Sequence, residues 1–366
     1  MCSSCVRLQR WFFPSTKITN NFGVSNRYWL LRAAQRVTKR MPMGRRKPAR
    51  LHGLLAIDKP AGWTSRDVVN HVSGLIGERR CGHTGTLDPA ATGVLLLAFG
   101  SATKTVRWLT AGRKSYIATI QFGSETSTDD AQGESTKEAA PPRLDESNRL
   151  QKALAEGVGS TILQTPPAVS ALKHEGVRDL ERVRRGEQVI REARPVELHE
   201  VTLLDRGADW LRVEVNCGPG FYVRAWARDL GRMLDSAAHL RDLRRTLTSG
   251  VRIDTCLSID EVRKLDVEQR VALLRSATTA LMQTIPSRVL AETMAIELSQ
   301  GKRPAIGDLS VIDEQDYALL DSNGQLVCVA TPKDIDGIAC WRVIRGFRTA
   351  PADQSASGPY DKPTFA

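Results

Sequence analysis

Two apolar runs stand out in the first third of the chain. Gly53 to Asp58 is filled by Leu54, Leu55, Ala56 and Ile57, and Val94 to Phe99 is apolar throughout. Both are short, which predicts buried strands. Between them Val68, Val69, Val72, Leu75 and Ile76 recur at helical spacing, with Ser65 placed as an N-cap. A short helix is expected from Ala102 to Leu109, and the alternation of Lys114 to Ile120 predicts a strand. Trp210 to Cys217 alternates cleanly: Leu211, Val213, Val215 and Cys217 share one face, Arg212, Glu214 and Asn216 the other. After Gly218-Pro219-Gly220 a helix is predicted over about 222–234. It carries Val223, Trp226, Ala227, Leu230 and Leu234 inward and Arg224, Arg228 and Arg232 as an i,i+4 stripe. A stripe of that kind is ordinarily a solvated face.

Residues 145–200 read as an inserted lobe. A helical stretch precedes Gly157, then come Thr165-Pro166-Pro167 and a second, basic helix from Val177 to Arg185. Beyond Ile285 the pattern becomes β-rich. A short helix ends at Gln300-Gly301, Asp321-Ser322-Asn323-Gly324 is a hairpin turn signal, and a last strand lies near Cys340–Ile344. Residues 350–366 are polar with Pro and Ser, the composition of a disordered tail.

One stretch fits neither period. Gly82 to Gly93 holds three glycines, three threonines, one histidine and one carboxylate, Asp88, immediately before the second apolar run. Pro89 biases Asp88 toward an extended backbone, so a rigid loop presenting one aspartate is expected. On residue chemistry alone an Asp-Pro turn is the commoner reading. A phosphate cradle fits worse, because no Gly-Lys-Ser/Thr follows and the loop leads into a strand.

Charge changes the picture less than its total suggests. The formal net charge is +11, but 12 of the 52 Lys and Arg lie in residues 1–57, which contain no acid. The remaining 40 face 41 Asp and Glu. Any case for a nucleic-acid partner must therefore rest on local features. Residues 1–50 form a basic tail with three readings: a disordered RNA-binding arm, an Arg-rich transit peptide, or sequence upstream of a true start at Met41 or Met43. The last is favoured. The seven cysteines are dispersed, and Cys2-x-x-Cys5 has no second pair at zinc spacing. Asp129 and Asp130 lack the calcium-loop pattern and are read as part of a loop. No run is long enough to cross a bilayer as a helix.

Gly82-His83-Thr84-Gly85-Thr86-Leu87-Asp88-Pro89-Ala90-Ala91-Thr92-Gly93 resembles the catalytic signature of the TruB family of pseudouridine synthases, and further matches run from about Leu51 to about Gly250. The resemblance implies an α+β fold. Its catalytic domain (51–285) has a mixed and antiparallel sheet and the inserted RNA-gripping lobe, followed by a small β-rich PUA-like domain (286–349). It implies isomerisation of uridine 55 in the TΨC loop of tRNA, with Asp88 as nucleophile and Arg224 as its charge partner. It further implies that Tyr116 stacks on the base and is a candidate for proton transfer. By the same resemblance Tyr222 and Leu243 are expected to border the pocket, Lys59 to support the loop, and His83 to fill the space left by a flipped base. By default these residues are ordinary: Tyr116 a half-buried strand aromatic, Lys59-Pro60 a turn, His83 structural. No cofactor and no metal are expected. The partner is tRNA, with no membrane, no obligatory protein partner and no guide RNA, and the chain is expected to be a monomer. The expected location is cytoplasmic, or mitochondrial if the tail is a transit peptide. Three departures from the family pattern are Ser127 for aspartate, Leu180 for tyrosine and Phe221 for threonine. The rival readings are a guide-RNA-dependent synthase and a catalytically silent RNA-binding or RNA-folding protein.

Overall fold

The computed structural model describes residues 48–145, 148–167, 173–174, 177–178, 192–306 and 313–347. The basic tail, Leu180, most of the expected basic helix and the C-terminal tail lie outside these residues. The first half contains β1 (Gly53–Lys59), β2 (Cys81–His83), β3 (Thr92–Phe99), β4 (Lys114–Phe122), β5 (Ser124–Thr126), β6 (Ser135–Glu138), β7 (Ser160–Gln164), β8 (Lys173–His174) and β9 (Val177–Arg178). The second contains β10 (Arg194–Arg206), β11 (Trp210–Cys217), β12 (Ala238–Thr248), β13 (Val251–Arg252), β14 (Leu257–Ser258), β15 (Ser287–Val289), β16 (Tyr317–Leu320), β17 (Leu326–Ile335) and β18 (Ile338–Gly346). The helices are α1 (Ser65–Ile76), α2 (Val106–Ala111), α3 (Asn148–Ala155), α4 (Val223–Met233), α5 (Ile259–Lys264), α6 (Val267–Ala272), α7 (Ala277–Met282) and α8 (Glu292–Ser299).

Ten of the described strands form one mixed sheet, ordered β14-β1-β3-β12-β4-β11-β10-β7, with β2 added to β3 and β13 to β12. The apolar runs explain its middle. β1 and β3 pair antiparallel and are covered on both faces, so their side chains sort by parity. Leu55, Ile57, Leu95, Leu97 and Phe99 pack with Val68, Val69, Val72 and Ile76 of α1. Leu54, Ala56, Val94, Leu96 and Ala98 pack on the other side with Leu109, Val251 and Ala280. Farther along, Ala118, Ile120, Leu211, Val213 and Val215 form a core with Trp226 and Leu230 of α4 and Leu150 of α3. No helix among the described residues is long and apolar enough to cross a membrane.

Several local expectations need correction. Thr64, not Ser65, caps α1, in a reciprocal box with Asp67. Two adjacent hydroxyls stand at the start of this helix and only Thr64 occupies the cap; Ser65 is the first helical residue and is buried. The loop opens on a strand, since Cys81, Gly82 and His83 pair with Phe99, Ala98 and Leu97. Val177–Arg178 pairs antiparallel with Lys173–His174 as a strand where a helix was expected to begin. The described flanks of the 145–200 region are built into the main structure: α3 contributes Leu150, Ala153 and Leu154 to the core, and β7 pairs with β10.

The C-terminal sheet runs β15-β16-β17-β18. Asp321 accepts from Asn323 N and Gln325 N, both at 2.9 Å, and Gly324 takes φ 74° to close the β16–β17 hairpin. Tyr317, Leu319 and Trp341 pack with Leu298 of α8, while Ala318 and Val329 meet Trp108 and Leu281 from the α2 and α7 helices. Asp316 ties the same junction, accepting from Arg107 Nη2 (2.6 Å), Trp108 Nε1 (2.7 Å) and Thr331 Oγ1 (2.6 Å).

Candidate active site

The loop between β2 and β3 is held almost residue by residue. Ser65 Oγ accepts from Leu87 N (2.9 Å) and donates to Leu87 O (3.0 Å). Lys59 is fully buried, and its amine donates to Pro60 O (2.9 Å), Trp63 O (2.6 Å) and Pro89 O (3.1 Å). From β12, the buried Arg245 donates to Val94 O (2.7 Å), Gly85 O (3.1 Å) and Thr86 O (3.5 Å). At the loop's exit Gly93 has φ 102°, and a Cβ there would lie 2.2 Å from Arg245 O, so no other residue fits without backbone movement. These contacts fix the backbone on both sides of Asp88.

Arg224 meets that carboxylate at two points: Nε to Oδ2 at 3.0 Å and Nη2 to Oδ1 at 3.3 Å. Its side chain is 7% exposed while that of Asp88 is 42% exposed. The guanidinium is thus walled in behind a carboxylate that faces outward. Its third nitrogen is engaged as well, with Nη1 donating to Thr128 O (2.9 Å) and standing 3.6 Å from Asp130 Oδ2. A planar fork with all three nitrogens committed orients the carboxylate as well as balancing its charge.

Of the arginine stripe of α4, Arg224 and Arg228 are therefore walled in, while Arg232 is half exposed and still paired. Arg228 donates to Asp129 Oδ2 (2.8 Å), and Arg232 grips both oxygens of Glu125 (2.8 and 2.6 Å). The three acids come from the β5–β6 ribbon, whose turn holds Asp129 in the left-handed region at φ 58°. Ser127 serves that turn by accepting from Glu134 N (3.2 Å).

Tyr116 on β4 is buried and stands in register with Arg245 of β12 and Val215 of β11. Burial pushes its phenol up from the usual range, against the nearby Arg245. Tyr116 shares one cluster with Leu87, Ala91 and Phe221, and Leu243 packs against it. Tyr222 is the N-cap residue of α4, two positions before Arg224. His83 Nδ1 accepts from Gly85 N (3.4 Å), and burial, aided by Arg245 and Arg66, lowers its pKa, so the imidazole is neutral near pH 7. The structure thus pairs Asp88 with Arg224, ties Lys59 to the neighbouring Pro89, sets Tyr116 and Leu87 in one apolar cluster with Leu243 packed against that cluster, and places His83 at the far end of the same loop. No group of three or more potential metal ligands is found among the described residues.

Comparison with known proteins gives this constellation a family. Residues 74–223 match the family described as TruB family pseudouridylate synthase (N terminal domain). The tRNA pseudouridine synthase B of Paenarthrobacter aurescens is 41% identical over 267 residues, covering 70% of this chain and 82% of that protein. The chain belongs to the TruB family of pseudouridine synthases. The tRNA pseudouridine synthase B of Paracoccus denitrificans is 37% identical over 287 residues, covering 78% of this chain and 94% of that protein. Among solved structures, a Cbf5-Nop10-Gar1 complex superposes with a TM-score of 0.62 at 22% identity, over 85% of this chain and 87% of that one, which establishes the shared α+β fold.

Several residues that support the site have a part that their sequence reading did not foresee. Ser65 and Arg245 anchor the loop, and Thr128, Asp129 and Asp130 hold the arginines, yet each partner lies tens of residues or more away along the chain. Only the paired hydroxyls Thr64-Ser65 and the paired cations Arg244-Arg245 hinted at them. Of the latter, Arg244 forks onto Asp58 (3.1 and 2.7 Å) while Arg245 turns inward.

Proposed function

We propose that this chain isomerises uridine 55 in the TΨC loop of tRNA to pseudouridine without a guide RNA, with Asp88 as the nucleophile. The observation that carries this reading is the two-point Asp88–Arg224 pair on a loop fixed by Lys59, Ser65 and Arg245. Binding alone has no need of an exposed carboxylate backed by a buried, fully engaged guanidinium. In the reaction the C1′–N1 bond breaks, the uracil turns, and C5 joins C1′. C5 gives up its proton and N1 gains one, so no redox partner is required. Attack by the Asp88 carboxylate starts this sequence, and Arg224 keeps the nucleophile charged and aimed. Tyr116 keeps its proton at neutral pH and contributes a stacking surface, worth about 1–3 kcal/mol per base. Tyr222 and Leu243 complete the pocket, and His83, neutral and semi-buried, occupies the gap left by the flipped base, whose extrusion costs a few kcal/mol.

Independence from a guide is favoured by the sequence relation, which is far stronger to tRNA pseudouridine synthases B than to the Cbf5 complex. Purified protein incubated with an unmodified tRNA transcript and no other RNA is expected to form pseudouridine at position 55. Product that appears only when a guide RNA is added, or no product at all, contradicts the reading.

A further inference from the structure

The start of α4 lacks an ordinary cap. Its N-cap residue is Tyr222, which has no side-chain cap hydrogen bond and is a residue type rarely used there. On the function proposed above, Tyr222 is needed at the pocket, so the cap position is not open to Ser, Thr or Asp. Gln164, 58 residues earlier at the end of β7, does the anchoring instead. Its Oε1 accepts from Tyr222 N (2.8 Å) and its Nε2 donates to Tyr222 O (3.1 Å). The side chain is 2% exposed. The next residue repeats the attachment, because Thr165 O accepts from Arg228 Nη2 (3.1 Å).

We propose that Gln164 is a positioning residue for the nucleophile. Its amide clamps both backbone groups of Tyr222 and so sets the direction in which the first turn of α4 delivers Arg224 to Asp88. This inference rests on the proposed function, since it assigns Gln164 a part in that reaction. Two consecutive residues, Gln164 and Thr165, are thus fixed to the first two turns of α4 by polar contacts that add no apolar core. Misplacement of a reacting group by about 1 Å can cost on the order of a hundredfold in rate. The charged groups on the elements that Gln164 joins include Arg224, paired with Asp88, Arg228, already paired with Asp129 and Asp229, and Arg194, the β10 partner of Gln164 in register.

The test is Gln164→Glu in the full chain. The introduced carboxyl can still accept from Tyr222 N, but it can donate to Tyr222 O only when protonated. Single-turnover pseudouridine formation on unmodified tRNA at saturating protein is expected to fall at least about tenfold at pH 8 relative to the unsubstituted protein. Affinity for tRNA should stay within about threefold, and much of the relative rate should return at pH 6, where a buried carboxyl takes up a proton. Gln164→Leu, which can neither donate nor accept, should be slow at both pH values. A Gln164→Glu protein as fast as the original at pH 8 overturns the proposal. So does one that is unfolded, or whose affinity, melting temperature and rate fall together without recovery at low pH, because Gln164 would then be merely structural. If the unsubstituted protein forms no pseudouridine, the functional reading has failed, a result distinct from any of these.

Discussion

The amine of Lys59 donates to the carbonyl of Pro89 at 3.1 Å, placing a fully buried cation one residue beyond Asp88. Burying an ammonium is costly unless its donors are satisfied. Here three carbonyls satisfy it, two of them in the Pro60–Trp63 turn. Gly62 N also donates to Pro89 O (2.9 Å), so turn and loop are tied twice at the same atom.

That cation should give the rate an alkaline limit. Burial pulls the Lys59 pKa from 10.5 down to about 8, with Asp88 opposing and Arg245 adding to the fall. Below about 8 the folded amine is charged and has a hydrogen for each carbonyl; above it only two remain for three. The single-turnover rate is therefore expected to decline as pH rises through about 8. Stability should move the other way. The unfolded chain holds this proton up to 10.5, so the cost of the buried charge is relieved between about 8 and 10.5. A rate profile flat across that range, or one that declines equally in Lys59→Met, contradicts this role.

Ser65→Ala removes both hydrogen bonds to Leu87 and leaves its backbone groups buried without them. A loss of about 1–3 kcal/mol in stability is expected, together with a fall in single-turnover rate larger than any change in tRNA affinity. Melting curves, rates and binding isotherms on one preparation check this. Unchanged rate with unchanged stability would remove Ser65 from the loop's support.

What the sequence made legible follows the locality of the cause. Leu211, Val213, Val215 and Cys217 alternate because β11 has one face on the core, and that pattern is written within eight residues. The unbroken runs of β1 and β3 likewise declare burial on both sides. The roles proposed for Asp88 and Arg224 were legible only through resemblance, since nothing local sets this aspartate apart from an ordinary Asp-Pro turn. The arginine stripe misled because its acids, Glu125, Asp129 and Asp130, stand about a hundred residues upstream on another element. β10 escaped notice for a related reason. Near the edge of the sheet it carries Glu197, His199, Glu200 and Asp205 among its apolar positions, and the alternation is diluted. Gln164 gave no signal, because an amide that clamps a distant backbone leaves no pattern in its own neighbourhood.

Gly93→Ala tests the close approach at the loop's exit. The substitution demands φ 102° from an L residue and brings Cβ to 2.2 Å from the Arg245 carbonyl. A destabilisation of at least about 3 kcal/mol is expected, read as a lowered denaturant midpoint with an unchanged slope. A midpoint equal to that of the original protein would show that β3 and β12 can part there without cost.

Asp316 should make the docking of the C-terminal sheet sensitive to acid. Burial raises its pKa, but hydrogen bonds from Thr331, Trp108 and Arg107 outweigh that and leave it below 3.8. Its contribution is thus present above pH 3.8 and lost as pH falls through the lower folded value. Asp316→Asn should cost about 1–2 kcal/mol near neutrality, with the gap to the original protein closing in strong acid. A gap independent of pH would contradict the assignment.

The central claim, that the carboxylate charge of Asp88 does the chemistry, is tested most directly by pseudouridine formation in Asp88→Asn. The substitution keeps the shape and leaves the anchors at Leu87 and Pro89 in place, so tRNA should bind with affinity within about threefold of the original. Single-turnover product should fall below detection, a loss of about 8 kcal/mol or more in transition-state stabilisation if the whole catalytic effect depends on attack by this group. Measurable pseudouridine from an Asp88→Asn preparation free of contaminating enzyme would contradict the account.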